Sequence, residues 1–312
     1  MGTGHYLVFD VGGTDVKAGL ADAGGQLHHV RRQPTAIAAP GQDPAAVLIE
    51  QLATLAGTLR QAAHEPPRAV GLAVCGLVDA PAGIGRYSAN LGWVDAPLRQ
   101  MAQDALGLPV GFGHDVATAA RAELELGAGA QDPQLRRNSA LLIIGTGIAS
   151  TLVVEGQVVS SEGYAGELGH AQVPGGLPCK CGATGCLETI ASAGAIARLY
   201  SQQAGAVPGA EQVFAARAAG DRIAGQVIEQ AIEALSFTLA QLCATTAPYG
   251  IVIGGGLAQA GPPFFAELGQ ALERRLSFHR RPRLVPAALG ADAGLQGAWL
   301  LASQTTTTGG TP

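Results

Sequence analysis

A histidine and three cysteines lie close together in the chain, as Gly169-His170 followed by Cys179-x-Cys181-x-x-x-x-Cys186. One imidazole and three thiolates complete a tetrahedral shell for zinc. A shell with no open position holds a metal that scaffolds rather than reacts. The same thiols can also be read as a redox pair or as buried unpaired cysteines, although a Cys-x-Cys disulfide is geometrically strained. The chain has five cysteines in 312 residues. With three of them in this cluster, a metal site in a reducing compartment accounts for them better than a disulfide framework.

Three glycine turns form a second set of chemistry-bearing residues. Asp10-x-Gly12-Gly13-Thr14-x-x-Lys17 puts a carboxylate at the end of an apolar run, with two residues lacking Cβ beside it. Main-chain N–H groups can approach phosphate oxygens there, although an ordinary hairpin turn has the same composition. Gly145-Thr146-Gly147 repeats the device, and Gly254-Gly255-Gly256 offers a flat backbone surface for adenine and ribose. Their succession resembles the two phosphate loops and the adenosine loop of the actin, Hsp70 and sugar kinase superfamily. The Walker lysine motif and the spaced dinucleotide GxGxxG are both absent.

Glu167-Leu168-Gly169-His170, the cysteine cluster and Leu187-Glu188 together resemble the signature of the ROK (repressor, open reading frame, kinase) family. The similarity runs from Tyr6 to about Ala302. It implies an α/β, two-lobed, ribonuclease H-like fold of the actin/hexokinase (ASKHA) type. It also implies an ATP-dependent kinase acting on a hexose, with glucose as the first substrate to consider. By this resemblance Asp10 helps hold magnesium and Asp115 is the catalytic base. Asn90 (before a Gly-Trp turn), Glu167, His170 and Glu188 contact the sugar, and the three glycine turns bind ATP. A homodimer is implied in the same way. On position alone, Asp115 also reads as a helix N-cap, and the two glutamates as capping or solvated residues. The chain departs from the family pattern at His114, where asparagine usually precedes the catalytic aspartate and contacts the substrate. Ser150 stands where many members have glycine or alanine, and its hydroxyl could donate to phosphate.

These groups need elements to position them. Tyr6–Phe9 and Val16–Ala21 read as strands about the first glycine turn, and Ala140–Ile144 and Ala149–Val154 as strands about the second, a divergent internal repeat. Asp43 and Pro44 start a helix carrying Val47, Leu48, Leu52, Leu55 and Leu59 at helical spacing. Strands follow at 69–74 and 109–112, and a helix runs from Asp115 to about Leu126. Pro81–Trp93 reads as loop. Helices are expected at roughly 189–203, 210–219 and 221–246, and a strand at 251–253. The expected division is a small lobe, 1–114, joined by a closing helix at 297–302, a large lobe with the zinc loop, 115–296, and a disordered tail, 303–312.

Composition limits the function classes. Hydrophobic residues make up 47% of the chain and aromatics 4%, and the formal net charge is −5. A substantial core is affordable, but there is no basic field for nucleic acid and little for aromatic stacking. Arg280, Arg281 and Arg283 are the nearest thing to a basic patch and read as a solvated helix end. No run of about 20 apolar residues and no basic leader is apparent, so the expectation is a cytoplasmic protein with no membrane partner. Three rivals remain at this point. One is a kinase for another hexose or N-acetylhexosamine. Another is a polyphosphate-dependent glucokinase, disfavoured by having only Lys17 and Lys180 as lysines. The third is a sugar-responsive transcriptional regulator, which needs a helix-turn-helix domain ahead of Asp10.

Overall fold

The computed structural model describes residues 4–308 and divides into two units. The first comprises the residues up to Glu123, Ser160–Tyr164 and those from Ala291 onward, and the second comprises Leu124–Val159 and Ala165–Gly290.

The first unit is built on a five-stranded sheet of β1 (Tyr6–Val11), β2 (Asp15–Ala21), β3 (Leu27–Pro34), β4 (Val70–Val74) and β8 (Val110–His114), in the order β3-β2-β1-β4-β8. The first three strands pair antiparallel and β1, β4 and β8 pair parallel. β4 is buried along its whole length and β1 nearly so, as expected of central strands covered on both faces. Helix α1 (Pro44–Ala62) starts where Asp43 accepts a hydrogen bond from Ala45 N at 2.9 Å and Pro44 presets the first turn. Its Leu48, Leu52, Leu55 and Leu59 are buried in the core that Phe9, Leu72 and Phe112 share. Helices α2 (Leu98–Leu106) and α3 (Asp115–Glu125) and a small sheet of β5 (Leu77–Asp79), β6 (Ile84–Tyr87) and β7 (Val94–Ala96) complete this part of the chain.

The second unit repeats the pattern. Its sheet runs β11 (Gln157–Val158), β10 (Ile148–Val154), β9 (Ser139–Ile144), β12 (Gly250–Gly254), β13 (Arg283–Pro286), again with an antiparallel first part and a parallel second part. The internal repeat read from two glycine motifs is therefore a repeat of sheet topology. Helices α4 (Pro133–Arg137), α5 (Glu188–Ala191), α6 (Ala193–Ala204), α7 (Ala210–Ala218), α8 (Arg222–Thr246) and α9 (Pro262–Glu273) belong to this unit. By length and composition α8 could cross a membrane. It buries Val227, Ile228, Leu235, Leu239 and Leu242 in the unit's own core.

Several elements differ from expectation. The region 81–93 contains β6, a short strand hidden by its glycine and paired to β5 and β7. The helix expected at 189–203 is two helices, broken where Ser192 turns extended and caps α6 through Ala195 N at 3.0 Å. Helix α10 runs Ala293–Thr308, so it begins before 297 and takes in 303–308 of the expected tail. Once a helix is under way, each added residue is cheap. Thr305 and Thr306 also return hydrogen bonds to Ala302 O and Ser303 O, at 2.7 and 2.8 Å. Residues 309–312 of that tail lie outside the described residues. The division expected at 114/115 falls after Glu123, because the start of α3 packs on α10, with Thr118 O against Gly297.

Helix α10 lies so close to the first sheet that side chains are excluded beneath it. A Cβ on Gly71 would stand 1.8 Å from Ala298 O, and one on Gly111 2.4 Å from Leu301 O. Backbone cannot move aside as a side-chain tip can. Gly71→Ala is therefore expected to destabilise by about 3 kcal/mol or more, read as a lowered midpoint in urea unfolding. An unchanged midpoint would contradict the close approach.

Candidate active site and zinc centre

In the first unit Asp10 is the last residue but one of β1, and its cross-strand partner on β2 is Lys17. Lys17 Nζ lies 3.4 Å from Asp10 Oδ2 and donates to Ala291 O at 2.9 Å. Gly294, in the first turn of α10, has no room for a Cβ because Asp10 Oδ2 would be 2.3 Å away. The carboxylate thus sits against a helix N-terminus, where the partial positive charge favours an anion. Burial, and next the charge of Asp115, raise the Asp10 carboxyl above the usual carboxylate range, while Lys17 pulls it down. A buried carboxylate with a second one in its field suits a divalent cation, and Asp10 would hold magnesium on that ground.

This shift has a consequence for stability. With its folded pKa above the unfolded value, the Asp10 contribution to stability is fully present at acidic pH and is lost as pH rises through the folded value. At neutral pH, charging Asp10 works against the metal-free fold. Asp10→Asn is expected to raise the melting temperature of the metal-free protein at neutral pH, with the gain shrinking as the pH is lowered. A melting temperature lowered at neutral pH would contradict this.

The glycines of the first turn do not take left-handed backbone. Gly12 N donates to Asp15 O at 2.9 Å and Gly12 O accepts from Thr35 Oγ1 at 2.7 Å, while Thr14 O accepts from Thr35 N at 2.9 Å. The Cβ place of Gly13 is taken by Asn90, whose Nδ2 would be 2.7 Å away. The missing side chain at Gly13 thus admits a neighbouring polar group.

Asp115 is the first residue of α3, but the cap is provided by its neighbour. His114 Nδ1 is 3.3 Å from Ala117 N, three residues ahead, which is the N-cap relationship. Asp115 Oδ1 accepts from Val116 N at 2.7 Å and lies 3.2 Å from His114 Nε2. The plain-cap alternative for Asp115 therefore loses its main support. Burial pushes the Cys75 and Cys243 thiols up to about 12 and about 11, so neither is an activated nucleophile.

In the second unit Gly145 and Gly256 face open space, and Gly255 has φ 82°, where a side chain would be strained and would also strike Ile144 O. Gly147 is different, because its Cβ place is filled by Glu188 Oε2, which accepts from Ile148 N at 2.8 Å. Glu188, at the start of α5, thus holds the end of the turn that contains Thr146. Ser150 is buried. It donates to Gly166 O and accepts from Leu168 N at 3.3 Å. Its hydroxyl proton is committed to the segment carrying Glu167 and does not point to a phosphate. Gly169 packs directly on Ile148 O. Neither Gly294 nor the clamp by Ser150 was read from the sequence. A glycine in a helix's first turn and a serine on a buried strand were the available signals.

His170 follows on the short turn Leu168–His170, and Cys179, Cys181 and Cys186 lie on a segment folded by bridges between Pro178 and Thr184 and between Gln172 and Cys186. The four ligand atoms lie within 4.8 Å of one another. His170 Nδ1 is 3.8 Å from Cys179 Sγ, and Cys181 Sγ is 3.6 Å from Cys186 Sγ. Tetrahedral zinc with bonds of about 2.3 Å to sulfur needs edges of about 3.8 Å. A disulfide would need about 2.05 Å. Burial pushes the Cys186 thiol up to about 12, whereas the Ala183 N–H and the neighbouring sulfurs hold Cys181 below the usual range. Keeping Cys186 as thiolate requires a cation, so the donor set fits zinc.

The ROK family model matches residues 6–305. The chain belongs to the ROK family. It is 32% identical to a glucokinase of Halalkalibacterium halodurans, over 96% of this chain and 95% of that protein. Among solved structures, a ROK hexokinase from Thermus thermophilus matches with 33% identity and a TM-score of 0.79, covering 97% of this chain and 99% of that one. A ROK family glucokinase from Streptomyces griseus in complex with glucose and AMPPNP matches with 26% identity and a TM-score of 0.79, covering 97% of this chain and all of that one. The two repeated sheets are thus the α/β units of a ROK, actin/hexokinase-type fold.

Proposed function

We propose that this ROK-family chain is an ATP-dependent sugar kinase that transfers the γ-phosphoryl group to a hexose hydroxyl, with glucose the preferred acceptor and glucose 6-phosphate the product. The observation that carries the reading is the state of Asp115. Its Oδ1 takes both local contacts, from Val116 and His114, which leaves Oδ2 for a substrate proton. Phosphoryl transfer asks for positioning, charge neutralisation and a base that accepts the hydroxyl proton late, so an ordinary carboxylate suffices.

The other residues divide the remaining tasks. Asp10 would hold magnesium, which neutralises charge on the phosphates when bound, and Lys17 keeps that carboxylate oriented. Gly12 N and Gly145 N close their own turns on Asp15 O and Gly147 O, so the backbone N–H groups of Gly13 and Thr14 and of Thr146 and Gly147 receive phosphate oxygens beside them, and Gly254, Gly255 and Gly256 receive the adenosine. Asn90, Glu167, His170 and Glu188 bind sugar hydroxyls. His170 turns Nδ1 toward the zinc cluster and so keeps Nε2 for the sugar. Cys179, Cys181 and Cys186 complete a zinc shell that fixes the backbone carrying Glu167 and His170. A cytoplasmic homodimer that binds no nucleic acid accompanies this reading.

The test is coupled ADP release by purified protein with magnesium-ATP against glucose, mannose, N-acetylglucosamine, N-acetylmannosamine and fructose. Turnover on glucose above the others is expected. Preference for an N-acetylhexosamine would move the substrate assignment. Silence with ATP but turnover with polyphosphate would move the donor, and specific DNA binding without turnover would overturn the enzyme.

A further inference from the structure

The turn between β9 and β10 carries two glycines with opposite surroundings. A Cβ on Gly145 would meet nothing within 4 Å, whereas one on Gly147 would run into Glu188 Oε2 and stand 3.1 Å from Glu188 Cδ. Neither residue has the left-handed backbone that would by itself call for glycine. The same Glu188 oxygen accepts a hydrogen bond from Ile148 N at 2.8 Å. The carboxylate is therefore seated twice against this turn, by that bond and by the room that residue 147 leaves. The first unit has a matching feature, because a Cβ on Gly13 would stand 2.7 Å from Asn90 Nδ2. In each unit the glycine's room is taken by a residue that the proposed function gives to the sugar.

We propose that Gly147 is a positioning residue for the sugar, acting through Glu188, and that its missing side chain does not serve the phosphate. A phosphate oxygen asks residue 147 only for a backbone N–H, which every residue except proline supplies. What alanine would take away is the seat of the Glu188 carboxylate. The atom in the way of a methyl group is the tip of a side chain, which can swing aside where backbone could not, so the fold survives the change. The loss falls instead on the place where the carboxylate meets a sugar hydroxyl, and a displacement of about an ångström is enough to spoil a binding geometry. This inference rests on the reading of Glu188 as a sugar ligand.

The seat can be tested without sugar. Hydrogen exchange of the Ile148 amide should be faster in Gly147→Ala and in Glu188→Ala than in wild type, and unchanged in Gly145→Ala. Undiminished protection in Glu188→Ala would overturn the proposal. Calorimetry tests the role. Gly147→Ala is expected to weaken glucose binding about ten- to hundred-fold, with the affinity for magnesium-AMPPNP in the absence of sugar changed less than about two-fold. Gly145→Ala, two residues away in the same turn, is expected to keep glucose affinity within about two-fold. Because Gly147 acts through Glu188, the double variant Gly147→Ala, Glu188→Ala should bind glucose no more weakly than Glu188→Ala alone. A further ten-fold loss in the double variant, or equal loss of glucose affinity in Gly145→Ala, would overturn the proposal. So would loss of AMPPNP affinity in Gly147→Ala with glucose affinity kept, which would return the glycine to the phosphate. Should Gly147→Ala fail to fold, adding Glu188→Ala must restore folding, since it removes the atoms in the way, and a double variant that still fails would contradict the seat. If wild-type protein binds no sugar while the Ile148 amide responds as expected, the kinase reading fails and the seat of Glu188 stands.

Discussion

Asp115→Asn is expected to fold normally and bind glucose with little change in affinity, yet to lose turnover by about 10²- to 10⁴-fold. The asparagine oxygen can still accept from Val116 N and face His114 Nε2, the two contacts that define the native side-chain position. What disappears is the free oxygen able to take a proton. Helix α3 keeps its cap, because the Ala117 N–H is received by His114 and not by Asp115. Melting temperature, glucose affinity by calorimetry and kcat therefore separate cleanly. Unchanged turnover would mean that another group is the base. A large loss of stability would mean that Asp115 is chiefly structural.

Cys181→Ala is expected to lose bound zinc and to weaken glucose binding roughly ten- to hundred-fold together. Cys181 is the exposed cysteine of the cluster, 3.6 Å from the buried Cys186 sulfur, so its removal opens the shell without emptying the core. His170 and Glu167 are joined by the hydrogen bond His170 N to Glu167 O at 3.0 Å, so loosening one loosens the other. The clamp from Ser150 to Gly166 and Leu168 should keep the loosening from spreading into β10. Metal content by mass spectrometry and glucose affinity on the same sample check this. Zinc-free protein with undiminished affinity would make the metal irrelevant to the sugar.

Local chemistry was legible where the signal was local. The central strands are continuous apolar runs, and the four candidate zinc ligands lie within seventeen residues of sequence, so both could be read without knowing the fold. Asp43 before Pro44 marked a helix start for the same reason. What escaped depends on partners distant in sequence. Nothing near Gly13 announces Asn90, and nothing near Gly147 announces Glu188, forty-one residues on, yet each fills the space that the glycine leaves. Gly71 reads as a weak point in a strand until α10 is laid across it. The cap on α3 misled in a different way, because aspartate is the stronger capping residue and masks the histidine before it. Strand β6 was lost among glycines because it is stabilised by pairing on both sides and not by its own residue preferences.

The central claim, phosphoryl transfer from ATP to a hexose hydroxyl, is tested most directly by following the phosphorus. Wild-type protein with magnesium-ATP and glucose should produce, in ³¹P spectra, a sugar monophosphate resonance split by methylene protons, growing in step with ADP and missing with Asp115→Asn. Growth of ADP and free phosphate alone, with no ester of any sugar supplied, would contradict the account.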